Sequence, residues 1–160
     1  MQRALRTLLV GTALACGGGA VALAADATSP LTGTWTLNLA KSKFDPGPPP
    51  KSDSRTYVES AQGVTVTVNI VTASGATISE HSSYAYDGKD YPISGSPDFD
   101  TLAVTRIDAN TAKSTQKKAG KVVGTTIRKV SKNGKHLRLR SNGTNAAGSR
   151  YSNVMVFDKQ

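Results

Sequence analysis

Beyond residue 60 the chain is broken at short intervals by glycine-containing dipeptides: Gln62-Gly63, Ser74-Gly75, Asp87-Gly88, Ala119-Gly120 and Asn133-Gly134. Each puts glycine where a positive φ costs little, and Asn133-Gly134 reads as a type I′ hairpin turn. The segments between these turns alternate with the period of a strand. Val64, Val66, Val68 and Ile70, for example, are separated by Thr65, Thr67 and Asn69, which gives one buried and one wet face. Strands are predicted at 34–39, 54–59, 64–73, 77–86, 102–108, 112–117, 121–131, 136–142 and 151–158, with a further short one around Tyr91. Turns this tight join antiparallel neighbours, because parallel strands need long crossovers. The expected fold is all-β, an antiparallel up-and-down barrel of about 8–10 strands that leaves no edge exposed. A two-sheet β-sandwich is the alternative.

Two stretches depart from this rhythm. The run DPGPPPKSD, at 45–53, can neither continue a strand nor start a helix in its proline core. The loop 87–100, DGKDYPISGSPDFD, carries Asp87, Asp90, Asp98 and Asp100. These lack the spacing of a calcium loop and read as turn formers.

The N-terminus has Arg3 and Arg6, an apolar run at 8–15 and small residues at Ala22 and Ala24. This is the pattern of a cleaved signal peptide at 1–24, leaving a single barrel domain at 25–160 in the periplasm or the medium. Gly17, Gly18 and Gly19 interrupt the apolar run, which is too short to span a membrane. Cys16 is the only cysteine, and Ala13 stands where a lipoprotein signal needs an aliphatic residue, so lipid anchoring is not expected.

Losing Arg3 and Arg6 leaves +7 of the formal +9 charge, most of the excess falling between Lys113 and Arg150. Arg128, Arg138 and Arg140 are taken as a basic surface. For an exported protein its partners would be anionic envelope polymers, not nucleic acid. Catalytic equipment is sparse. His81 and His136 lie on separate strands without cysteines or clustered carboxylates, and there is no nucleophile-elbow sequence. No catalytic residue, metal site or cofactor is assigned, and the chain is not read as an enzyme.

The stretch GTWTLNL, with Gly33 and Trp35 on the first strand, resembles the calycin group: lipocalins, fatty-acid-binding proteins and avidins. The resemblance implies that Gly33 allows close packing at the barrel base and that Trp35 plugs the closed end. The C-terminal run VSKNGKHLRLRSNGTNAAGSRYSNVMVFDKQ is similar to the closing hairpin of fatty-acid-binding proteins. The strings GTWTLN, AKSKF, PGPPPKS, YDGKDYP, RIDANT and VFDKQ are similar to those of small exported bacterial proteins. There are two departures. Fatty-acid-binding proteins carry two lid helices where this chain has its prolines. Their carboxylate-binding arginine and tyrosine correspond to Met155 and Phe157, an apolar pair that cannot offset the desolvation of a carboxylate.

Several strand faces mix aromatic and polar groups: Glu80, Tyr84 and Tyr86 on one, Arg106 with Leu102 and Val104 on another, and Tyr151, Asn153, Met155 and Phe157 on the last. A partly wet cavity would show this mixture. Tyr84, Tyr86, Arg106, Tyr151, Asn153, Met155 and Phe157 are therefore the expected ligand contacts. The expected function is non-catalytic binding of a small, partly apolar, amphipathic ligand. The alternative is a basic envelope-interaction module with a packed core.

Overall fold

The computed structural model describes residues 29–160, and the expected signal peptide with Cys16 lies outside the described residues. Alternating β-branched and hydroxyl side chains build ten strands: β1 (Gly33–Leu37), β2 (Ser52–Ser60), β3 (Gly63–Val71), β4 (Thr77–Tyr84), β5 (Asp87–Ser94), β6 (Thr101–Asp108), β7 (Thr111–Lys118), β8 (Lys121–Val130), β9 (His136–Thr144) and β10 (Arg150–Lys159). Each pairs antiparallel with its sequence neighbour, and β10 returns to β1 with Trp35 opposite Lys159, closing the barrel. No strand edge is left open, which excludes the sandwich.

Two turns differ from expectation. Gly134 has φ +69°, but Asn133 is not left-handed. Its side-chain Oδ1 instead accepts from Ser131 Oγ (2.6 Å) and from the Lys135 amide (3.1 Å), stabilising a wider loop. The two-residue turn with both φ positive is Ala119-Gly120, at +49° and +76°, between the paired Lys118 and Lys121. Asp100 steadies the strained alanine by accepting its amide at 2.9 Å. Asp87-Gly88 opens β5 instead of forming a turn, and a register shift against β6 between Asp87 and Asp90 accommodates it.

One end of the barrel is packed shut. Trp35, Phe157, Leu137 and Val64 are fully buried there. Leu31 packs beneath them, and its carbonyl accepts the indole Nε1–H at 2.8 Å. Gly33 (φ +134°) leaves its flank free for Lys159, whose Cε would lie 2.8 Å from an added Cβ. The Lys159 ammonium sits 5.1 Å from the Trp35 ring and donates to the Pro30 carbonyl at 3.1 Å.

The other end is open. Between β1 and β2 there is a single 3-10 turn, Leu39–Lys41, and no α-helix occurs among the described residues. The proline-rich arm runs along the rim. It is pinned to β10 by the Lys43–Val154 bridge and by the Ser152 amide on the Asp45 carbonyl, 2.6 Å. The thinnest seam is β4–β5, with only His81–Ser94 and Ser82–Ile93 in register. There Ser82 Oγ donates to the Pro92 carbonyl at 2.8 Å.

Trp35→Phe should cost about 2 kcal/mol, because it removes the indole donor and strands the buried Leu31 carbonyl. Urea unfolding of the two proteins measures this directly.

Candidate functional site

The alternation that closes the base also sends polar side chains into the upper barrel. Two spaces result. A mouth of about 610 Å³ is lined by Phe44, Phe99, Tyr151, Asn153 and Met155, together with Asp53, Arg55 and Glu80. Below it an inner chamber of about 100 Å³ is walled by Val66, Val68, Leu102, Val104, Tyr57, Tyr84 and Arg128. Arg55, Glu80, Phe99, Gln116, Thr126 and Leu139 border both, so the mouth leads into the chamber.

Charge in this interior is held in specific ways. On β2, Asp53 is 2% exposed and is gripped by Arg55 through Nη2–Oδ2 (2.8 Å) and Nε–Oδ1 (3.1 Å). The same guanidinium lies 5.1 Å from the centre of the Phe157 ring. In the same cross-strand row, with Val68 between it and Arg55, Glu80 has its pKa raised above the ordinary glutamate value by burial, and neighbouring Ser96 and the Arg55 charge offset this only in part.

Arg128 corrects the sequence reading most sharply. It does not belong to a basic surface with Arg138 and Arg140, because its place on β8 turns it inward while theirs on β9 turns them out. Its Nη1 donates to Tyr84 Oη at 2.6 Å and its Nη2 to Tyr86 Oη at 2.8 Å. The guanidinium stands 5.3 Å from the Tyr57 ring centre and 5.8 Å from that of Tyr86. Among the described residues no carboxylate pairs with it directly. Burial pushes both phenol pKa values up, Tyr84 furthest, so the hydroxyls facing the guanidinium stay neutral.

A ladder of hydroxyls and one amide crosses β7, β8 and β9. Gln116 Nε2 donates to Ser114 Oγ (3.2 Å) and Thr126 Oγ1 (3.0 Å), and Thr126 bonds Ser141 at 2.8 Å. Gln116 Oε1 is buried and has no partner among the described residues. Tyr151, Gly143 and Gly124 are consecutive cross-strand partners. An added Cβ would lie 2.7 Å from Tyr151 Oη at Gly143 and 2.9 Å at Gly124, so the two glycines make the space in which the phenol lies.

The predicted contacts therefore separate. Tyr151, Asn153 and Met155 line the mouth and Tyr84 the chamber. Tyr86 and Arg106 belong to the closed end, where Arg106 stacks 4.0 Å over the Tyr86 ring and pairs with Glu59. Burial alone would raise the Glu59 pKa, but the hydrogen bonds from Ser29, Arg106 and Tyr86 hold it below the ordinary value. Phe157 is 0% exposed and fills the core, not the cavity. Arg55 and Gln116 were not predicted, Arg128 was assigned to the outer surface, and Glu80 was placed on a mixed face without being chosen. Strand parity could have found Arg128, which shares its face with Thr126 and Val130. Apolar residues on both faces of β8 hide that signal.

Among solved structures, the chain is similar to zebrafish ileal bile acid-binding protein complexed with cholic acid. The match has a TM-score of 0.51 at 12% identity and covers 82% of this chain and 100% of that one. No family model and no curated protein matches the chain. The two share a fold, and the closed antiparallel barrel seen here is the architecture that the GTW strand and the closing hairpin led us to expect.

Two outcomes follow from the interior charges. Asp53→Asn should destabilise by roughly 3 kcal/mol, since it leaves Arg55 buried without its partner; denaturant unfolding measures it. Glu80 holds its proton to higher pH in the folded barrel than in the unfolded chain. Its presence therefore costs stability as pH rises from the ordinary glutamate range through the raised value. Urea midpoints between about pH 4 and pH 8 should fall less steeply for Glu80→Gln than for the native protein.

Proposed function

We propose that this protein is an exported, non-catalytic carrier that takes a small amphipathic ligand into the barrel with its acidic end inward. The observation that carries this is Arg128, a buried guanidinium at the inner end of an open cavity, held by two neutral phenols and no carboxylate. A buried charge without a counter-ion is costly, and an entering carboxylate, sulfonate or phosphate would offset that cost. The unpartnered Gln116 Oε1 would accept a hydrogen bond from a hydroxyl on the same ligand. Size supports the orientation. The chamber of about 100 Å³ admits a compact head group, and the mouth of about 610 Å³ takes the apolar body between Phe44, Phe99 and Met155. That the similar zebrafish barrel was crystallised with cholic acid supports small-ligand binding. Export rests on the pattern of residues 1–24. The hollow interior does not favour the packed-core module.

The fluorescent sulfonate 1-anilinonaphthalene-8-sulfonate should bind one to one and be displaced by decanoate better than by decanol. Arg128→Gln should weaken displacement by decanoate about tenfold and leave decanol unchanged. Circular dichroism would check that the variant is folded. Equal effects on acid and alcohol would overturn the assignment of Arg128, and a folded native protein that takes up none of the three would overturn the carrier reading.

A further inference from the structure

The outer wall of the barrel is unevenly charged. On β2, β3 and β4 the outward positions are largely neutral hydroxyls such as Ser54, Thr56, Thr65, Thr67 and Ser83, partly bonded to one another, as in Thr65–Ser83 at 3.0 Å. On β7, β8 and β9 they include Lys113, Lys129, Arg138 and Arg140, all exposed. Lys129 stands directly opposite Arg138, and Arg140 and Lys113 flank Ile127 in one cross-strand row. Lys43, opposite Val154 beside Arg140, extends that row. Like charges directly opposed on a sheet are destabilising, and the neutral wall shows that this barrel closes without them. None of these cations is in an ion pair among the described residues. Across β7 to β10 the single carboxylate is Asp158, already engaged by Asn38, Lys41 and His136.

We infer that this wall docks on an anionic bilayer surface. Neighbouring strands lie about 4.8 Å apart and alternate residues about 6.7 Å apart, so the cations spread in two dimensions instead of along a line. A planar array of lipid phosphates can meet Lys113, Lys129, Arg138 and Arg140 together, since they lie on three adjacent strands, each cation near the surface adding to the attraction. A linear polyanion would engage one row at a time. The face carries no aromatic ring on which a sugar could stack, and the side chains between the cations include the aliphatic Ile127 and Val154. The inference is independent of what the cavity holds.

The test is co-sedimentation of the full chain with phosphatidylcholine vesicles, with and without about 30% phosphatidylglycerol, at about 0.05 M and about 0.5 M salt. The native protein should pellet only with the anionic vesicles and be released at high salt. Lys113→Gln combined with Lys129→Gln, Arg138→Gln and Arg140→Gln should bind at least tenfold more weakly. A control with the same net charge, Lys51→Gln combined with Lys89→Gln, Lys118→Gln and Lys132→Gln, should bind within about threefold of native. The single variants Arg138→Gln and Arg140→Gln should show graded losses, so a folding defect in the fourfold variant would not hide the effect. Equal losses in the two fourfold variants, or no retention of the native protein on anionic vesicles, would overturn the inference. Retention on soluble polyphosphate without retention on vesicles would overturn it in favour of a polymer partner.

Discussion

A ten-stranded barrel is too wide for its own side chains to fill unless they are large, and aromatic residues make up only 6% of this chain. The available bulk is concentrated at one end, where Trp35 and Phe157 are completely buried with Leu137. The opposite half is left hollow. That division explains why the same inward parity reads as core low on a strand and as cavity lining higher up. On β10, Phe157 packs low, while Met155, Asn153 and Tyr151 line the mouth. On β9, Leu137 is core and Ser141 belongs to the hydroxyl ladder.

A hollow half is also where inward-facing charge can be tolerated. Asp53 and Arg55 are two residues apart on β2 and share one face, so their pairing needs no tertiary partner. Arg128 is different. Its donors are met by Tyr84 at the end of β4 and Tyr86 in the connection to β5, and Tyr86 in turn lies against Arg106 and Glu59 at the closed end. The guanidinium therefore sits at the boundary between packed base and open chamber, fixed in position and short of negative charge.

The architecture was legible because turn glycines and period-two alternation act locally. Trp35 and Gly33 marked the base only through the resemblance of GTWTLNL to the first strand of calycins, not through local patterning. The cavity was harder to read. Parity says which face of β10 points inward but not where along that face packing gives way to open space, so Phe157 was grouped with Tyr151. The turns show a similar limit: Asn133-Gly134 has the preferred composition for a tight turn, yet Ser131 and Asn133 hydrogen bonds make a wider loop more favourable. At Ala119-Gly120 the tight turn forms despite the alanine, because the Asp100 carboxylate, distant in sequence, caps its amide.

Inside and outside are tied together most closely on β8, where consecutive residues Arg128 and Lys129 serve opposite faces. A slip of one residue would bring Lys129 into the chamber and expose Arg128, reversing both the interior and the outer wall. Two features set the register. A shift against β7 between Gln116 and Lys117 absorbs an extra residue near the mouth. Further along, Gly124 faces Gly143 so closely that a Cβ on Gly143 would fall 2.4 Å from the Val123 carbonyl, with the Tyr151 phenol against both glycines. Moving β8 by one position would put Val123 or Thr125 opposite Gly143, and neither leaves room for the phenol. The glycine pair thus keeps one arginine facing the cavity and the neighbouring lysine facing outward, which makes β8 the strand on which the cavity and the charged wall both depend.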